Sequence, residues 1–196
     1  MSVRAIATAA AAASIVTSVG ATVAWAVSGE DSPGYETQPL TFEIAEDATR
    51  FAFDDTPVFD DGLPSYGNPF VTQGYIYQLG TLAAGGGVNP DGSPTHPDAV
   101  IGTWTCEGFL IGDGAHTEAG PWVVSTQVFD FGAFDGADIV VSHGIETPEI
   151  GEVVERAIIG GTGSHTGADG TQIQVLESFN DSDGVNLTVT LRPKDD

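Results

Sequence analysis

From residue 40 onward the apolar residues come in short runs, rich in β-branched and aromatic side chains and closed by Gly, Asp, Asn or Pro. That punctuation is the signature of strands joined by tight turns. Eight segments carry it, at 40–46, 69–79, 100–111, 122–131, 137–145, 152–160, 171–179 and 185–192, and none of the chain between them reads as a helix. In the seventh segment Ile173, Val175, Glu177 and Phe179 share one face, with Gln172, Gln174, Leu176 and Ser178 on the other. In the eighth, Val185, Leu187, Val189 and Leu191 oppose Asn186, Thr188, Thr190 and Arg192. One buried face and one wet face is the pattern of an antiparallel meander. The connections at 181–184 and 133–136 both end in Gly, as hairpin turns do. Eight strands suffice to close a small barrel. The expected fold is therefore all-β, an eight-stranded antiparallel up-and-down β-barrel.

Composition removes whole classes of function. The 196 residues hold 28 Asp plus Glu against five Lys plus Arg, a formal charge of -23. Such a surface repels phosphate backbones and anionic lipid heads, so no nucleic-acid partner is expected and no membrane partner once a leader is cleaved. With 41% hydrophobic residues the chain is nevertheless that of a folded domain and not of a disordered acidic tail. Acids with almost no cations to pair them destabilise a compact state in dilute buffer, and concentrated salt relieves the repulsion. This points to a halophilic protein in a high-salt environment; an ordinary acidic secreted protein stays open as the alternative. The lone Cys106 allows no intrachain disulfide and no Cys-rich zinc site.

The N-terminal segment is expected to be an address. Arg4 precedes an uncharged, Ala-rich run to Val27 that contains Ala24-Trp25-Ala26, the small-x-small form of a signal-peptidase site. Residues 1–26 are read as a Sec-type signal peptide that makes the protein secreted, with an uncleaved anchor as the alternative. Residues 27–39, polar and containing Gly and Pro, suit a flexible linker, and 40–196 form the barrel domain. Two connections, 54–68 and 82–98, are too long for tight turns and read as functional rims or as disorder.

At Gly160-Gly161-Thr162-Gly163 a buried-type strand runs into a glycine-dense turn and out again toward Ala168 and Gly170. Glycines there permit positive φ and close approach to a neighbouring strand. No Lys-Ser/Thr and helix follow, so this is not a phosphate loop. Together with the preceding hairpin around Phe131-Gly132 and Asp135-Gly136, the segment resembles the allene oxide cyclase and dirigent barrel superfamily. In particular it resembles the bacterial and archaeal members called allene oxide cyclase barrel-like proteins. The likeness spans roughly residues 70–192, with its specific part at 154–170. It implies an eight-stranded barrel, often a homo-oligomer, with a central cavity for an apolar ligand. It also implies cofactor-free chemistry, in which an unstable molecule is cyclised or coupled by being shaped and desolvated. Glu155 matches the acid that dirigent-type chains place before this turn. Asp169 stands where the family commonly has a basic residue, which weakens any transfer of charge-based roles at the turn.

Candidate chemistry is sparse. Glu177 lies between Val175 and Phe179 and is a general acid or base if that face lines the barrel, or an edge residue if it does not. Arg156, retained by a chain that has discarded nearly all cations, is expected to pair with a carboxylate or to orient an acidic ligand. The candidate catalytic set is thus Glu177, Glu155 and Arg156. Tyr75, Tyr77, Trp104, Cys106, Trp122 and Phe129 either line a cavity or fill it, and Cys106 reads first as a small buried hydrophobe. His96, His116, His143 and His165 lack metal-ligand spacing, 181–184 is a turn and not a calcium loop, and no serine sits in an elbow motif. Asn180-Asp181-Ser182 and Asn186-Leu187-Thr188 have the form of N-glycosylation sites. Two readings of function stay open. One is a secreted barrel that binds an apolar small molecule and acts as a cyclase or isomerase without cofactor or metal. The other is a non-catalytic exported binding or cell-surface barrel with a filled interior.

Overall fold

A computed structural model describes residues 38–83, 86–132 and 136–194. The expected signal peptide, most of the expected linker and the centre of the 133–136 turn lie outside the described residues. Eight strands form a closed barrel in sequence order, every neighbour antiparallel and β8 closing on β1. They are β1 (Leu40–Phe53), β2 (Pro69–Gln78), β3 (Val100–Leu110), β4 (Val123–Asp130), β5 (Ile139–Glu146), β6 (Val153–Gly161), β7 (Gly170–Phe179) and β8 (Val185–Pro193). The described helical structure is three single 3-10 turns, Pro97–Ala99, Gly114–His116 and Gly163–His165.

The strands form where the apolar runs lie, and one boundary moves by more than two residues. β1 continues seven residues past Glu46, because Asp47 bends the strand and lets it resume pairing. The Asp47 carboxylate accepts the Thr49 N–H at 3.0 Å and the Thr49 hydroxyl at 2.6 Å. The register against β2 slips between Asp47 and Ala52, as at a β-bulge.

Inward-facing residues fill the barrel. Phe42, Ile44, Ile76, Trp104, Phe129, Val140, Ile158, Leu187, Val189 and Leu191 belong to one apolar cluster, with Phe42 set edge-on to Phe129 at 5.4 Å. β8 points its aliphatic face inward, as the alternation requires. β7 does the reverse: Gln172, Gln174 and Leu176 face in, and Ile173, Val175, Glu177 and Phe179 face out.

Over their described residues both long connections are built structures. Residues 54–68 are pinned by the fully buried Asn68, which accepts Asp54 N–H and donates to Asp54 O and Pro57 O, each at 2.8–3.0 Å. They clasp the β3–β4 connection at the same barrel end through Ala115 N–H to Pro64 O at 2.9 Å and a stacked Phe59–His116 pair. The β2–β3 connection instead lies against the outer wall of β1 and β2. Tyr77 donates to Gly87 O at 2.6 Å and Tyr75 to Gly92 O at 2.9 Å, and Ala45, Tyr77 and Val88 form a second small core.

The glycine-dense turn packs on the β4–β5 connection. Gly163 has φ +58°, and a Cβ there would stand 2.2 Å from Ala137 O and Asp138 Oδ1, while Asp138 accepts the Ser164 N–H at 2.8 Å. The two glycosylation-type asparagines are buried: Asn180 donates to Glu46 O at 2.9 Å and Asn186 to Gly86 O at 2.9 Å. Neither side chain is open to modification in the folded barrel.

Candidate functional site

One barrel end is apolar and the other is polar inside. At the second end, ringed by the β1–β2, β3–β4, β5–β6 and β7–β8 connections, the inward positions are Glu46, Thr72, Cys106, Ser125, Glu146, Arg156 and Gln174, all buried. Phe70, Val123, Val154 and Leu176 complete the wall.

Glu46 is held by two strands. The Thr72 hydroxyl donates to its Oε1 at 2.6 Å and the Val185 N–H to its Oε2 at 3.0 Å. The β7–β8 turn grips its backbone through Asn180 and Ser182, both donating to Glu46 O. Burial raises the Glu46 carboxyl above the usual glutamate value, outweighing the two hydrogen bonds that lower it, and the nearby Glu146 and Asp47 charges add to the rise. Burial thus favours the protonated form of the Glu46 carboxyl.

Glu146 comes from β5, on the opposite side of the barrel, and has a cationic partner. Arg156 Nη1 lies 3.3 Å from Glu146 Oε1, the Ser125 hydroxyl donates to the same oxygen, and Gln174 Nε2 donates to Oε2 at 2.9 Å. All three guanidinium nitrogens of Arg156 are engaged. Nη2 donates to Ser125 O and Oγ at 2.9 Å, Nη1 also to Ile145 O at 3.2 Å, and Nε to Ser142 Oγ at 3.5 Å. β5 makes room for this side chain with Gly144, where a Cβ would meet the Arg156 stem at 3.1–3.3 Å. Below, Gln127, Gln172 and Gln174 continue the network: Gln127 donates to Gln174 at 2.9 Å, and Gln172 donates to both.

Cys106 sits among Glu146, Arg156 and Glu46. Burial, reinforced by the Glu146 charge, pushes its thiol well above the ordinary range, so it is a neutral thiol and no nucleophile at neutral pH. Its Sγ is 3.6 Å from Glu146 Oε1.

Exposure falls off inward from this end. Glu46, Phe70, Val123, Glu146 and Val154 keep 7–9% of their surface, whereas Phe42, Ile44, Gln127, Phe129, Gln172 and Val189 keep none. The inner half is thus shut off from solvent, and the polar end, which we call the mouth, keeps only a trace of exposure. Two clefts lie on the outer wall, one of about 500 Å³ lined by Glu155, Asp169, Arg192 and Lys194, the other of about 470 Å³ lined by Glu43, Glu177, Asn186 and Thr188.

The candidates read from the sequence are therefore scattered. Arg156, Trp104, Cys106 and Phe129 are interior, and Trp122 packs against the interior cluster from the β3–β4 connection. Glu155 and Glu177 are exposed on the outer wall, in separate clefts, and Tyr75 and Tyr77 lie outside under the β2–β3 connection. Gly161, Thr162 and Gly163 shape their turn, while Gly160 has open space at its Cβ position. Glu46 and Glu146 were missed: Glu46 falls in phase with apolar Phe42 and Ile44 on β1, whereas Glu146 lies one residue past the expected fifth segment and follows Ser142 and Gly144 in phase. Among the described residues no cluster of His, Cys, Asp or Glu is arranged to hold a metal ion.

No family model matches the sequence, and no curated protein matches it. Solved structures do share the fold. The pterocarpan synthase dirigent protein PsPTS1 superposes with a TM-score of 0.52 at 15% identity, over 81% of this chain and 96% of that one. The pterocarpan synthase dirigent protein GePTS1 gives 0.47 at 17% identity over 84% and 94%, and a pyocyanin demethylase 0.47 at 13% over 78% and 98%. The chain thus shares its overall fold with PsPTS1.

Proposed function

We propose that this protein is a small-molecule-binding barrel whose ligand seats in the mouth, and that Glu46 exchanges a proton with that ligand. In its finer form the reading is a cofactor-independent isomerase or cyclase of the allene oxide cyclase or dirigent type, exported into a salty medium. The observation that carries it is the placement of two carboxyl groups from opposite strands, β1 and β5, at the polar end of an otherwise apolar barrel interior. Buried polar groups cost stability relative to apolar packing, so a cluster this large concentrated at one end favours a functional origin. A neutral carboxyl in a desolvated site is a competent general acid, and confinement of a reactive molecule against apolar walls supplies the remainder of such catalysis.

A second reading, a non-catalytic binding or cell-surface barrel, is favoured by the closure of the inner half to solvent. Native mass spectrometry of protein taken from the cells that make it separates the two, combined with titration by the uncharged fluorophore N-phenyl-1-naphthylamine. A co-purifying apolar molecule or saturable uptake supports the mouth as a ligand site. A bare polypeptide mass with no uptake at any salt concentration supports the structural barrel.

A further inference from the structure

We infer that the overhanging tip of β1 pairs with the same tip of a second copy of this chain, around a two-fold axis at Ala52, independently of any ligand. β8 pairs with β1 only over residues 40–45, and the β7–β8 turn covers the next stretch through Ser182, whose hydroxyl accepts the Ala48 N–H at 3.1 Å. Residues 49–53 run on beyond that cover, exposed, with β2 on one side and, among the described residues, no strand on the other. Closing a barrel removes its sheet edges. This overhang restores one, and an unpaired edge is a template for another strand.

The neighbours fix which backbone groups reach that edge. Asp54 turns its N–H and C=O to the Asn68 side chain, on the β2 side. Leu110 donates to Asn68 O at 3.0 Å, so Asn68 and, two residues on, Phe70 direct their backbone groups to β3, and Val71 directs its own to Ala52. Alternation along the strand then points the N–H and C=O of Phe51 and Phe53 to the open edge. In a two-fold antiparallel pair, residues that reach the edge must oppose residues that reach it, so the axis passes through a residue and never between two. With the axis at Ala52, Phe51 of each copy forms a hydrogen-bonded pair with Phe53 of the other, and Arg50 of each stands opposite Asp54. Arg50-Phe51-Ala52-Phe53-Asp54 is thus complementary to itself read backwards, in aromatic rings and in charge. An axis at Phe51 would set Asp47 against Asp55, and one at Phe53 would leave Arg50 opposite Thr56. The charged groups have capacity for the pairing. Arg50 uses Nε on Asp47 and Nη1 on Gln73, leaving Nη2 uncommitted among the described residues, and the hydrogen bonds of Asp54 are made by its backbone. Acids at an edge discourage an arbitrary strand, and here they select the one register that neutralises Asp54.

Sedimentation equilibrium of the full chain from about 1 to about 500 µM at fixed salt is expected to show monomer and dimer, the strip being short beside a standard interface. Arg50→Glu and Asp54→Lys each set like charges opposite one another at both ends of the pairing, and each is expected to weaken the dimer at least about fivefold. An equimolar mixture of the two variants restores opposite charges at both ends and is expected to dimerise about as tightly as wild type. The Asp54 side chain makes no contact that the barrel depends on, so Asp54→Lys keeps the test open if loss of the Arg50–Asp47 pair unfolds Arg50→Glu. Ala52→Cys brings two thiols to the axis, where facing Cα atoms of a non-hydrogen-bonded pair stand about 4.5 Å apart, within reach of a disulfide. Mild oxidation is expected to link that variant into dimers and to leave Thr49→Cys unlinked, its thiols being about 20 Å apart in this register, while Cys106 is buried and takes no part. A monomer throughout, a trimer, a dimer that neither charge variant weakens, or equal linking of the two cysteine variants overturns the inference.

Discussion

Arg156 Nη1 stands 3.3 Å from Glu146 Oε1 inside the barrel, with the Arg156 side chain fully shielded from solvent. The pair is framed by Ser125, which accepts from Arg156 and donates to Glu146. A buried pair adds little over well-packed apolar residues, but losing one partner strands the other charge. Arg156→Ala is therefore expected to destabilise the barrel by about 3–5 kcal/mol, and Arg156→Met paired with Glu146→Gln to recover most of that loss. Denaturant melts at neutral pH measure both; equal stability of Arg156→Ala and wild type would show that the pair is solvated.

Glu46 imposes a pH dependence of definite sign. Its folded-state pKa is raised, so its contribution to stability is complete below the unfolded glutamate value and is lost as pH rises through the folded value. Glu46→Gln removes that loss. The stability of the variant relative to wild type is expected to increase as pH climbs from about 4.5 toward neutrality. A difference that shrinks over the same range, followed by urea melts at constant salt, contradicts the assignment of Glu46 as a proton-holding group.

The glycine-dense turn separates sterically required positions from free ones. Gly163→Ala combines a positive φ with contacts at 2.2 Å to Ala137 O and Asp138 Oδ1, and is expected to cost more than about 1 kcal/mol. Gly160→Ala meets nothing within 4 Å and is expected to stay within about 0.5 kcal/mol of wild type. Thermal melts of the two variants side by side check the contrast.

The acid excess is expected to make stability depend on salt. Arg156 is sequestered in the interior and Arg50 is paired with Asp47 at 3.2 Å, so few cations remain to offset a charge of -23. Screening relieves that repulsion, and the melting temperature is expected to rise between about 0.1 M and about 3 M KCl. A flat or falling curve contradicts adaptation to a salty medium.

Strand number, strand positions and closure were legible because turn residues and β-branched runs mark them locally. The orientation of β7 was not. Gln172 and Gln174 alternate with Ile173 and Val175, and a polar–apolar alternation does not say which face is inside when the interior itself is polar. The partners that make the glutamine face the buried one, Gln127 on β4 and Glu146 on β5, lie 45 and 28 residues from Gln172 and Gln174. Glu46 carried a readable signal, since it shares its phase with Phe42 and Ile44, and Glu146, in phase with Gly144 and Ser142, carried none. The Glu46 signal was outweighed by Glu177, whose apolar neighbours Val175 and Phe179 proved to belong to the outer wall.

The mouth is tested most directly by carbon-13 NMR of the glutamate carboxyls during titration with N-phenyl-1-naphthylamine. The account predicts saturable shifts at Glu46 and Glu146, with Glu155 and Glu177 unmoved on the outer wall. Shifts confined to Glu155 or Glu177, with Glu46 and Glu146 silent, would place the ligand in an outer cleft and contradict it.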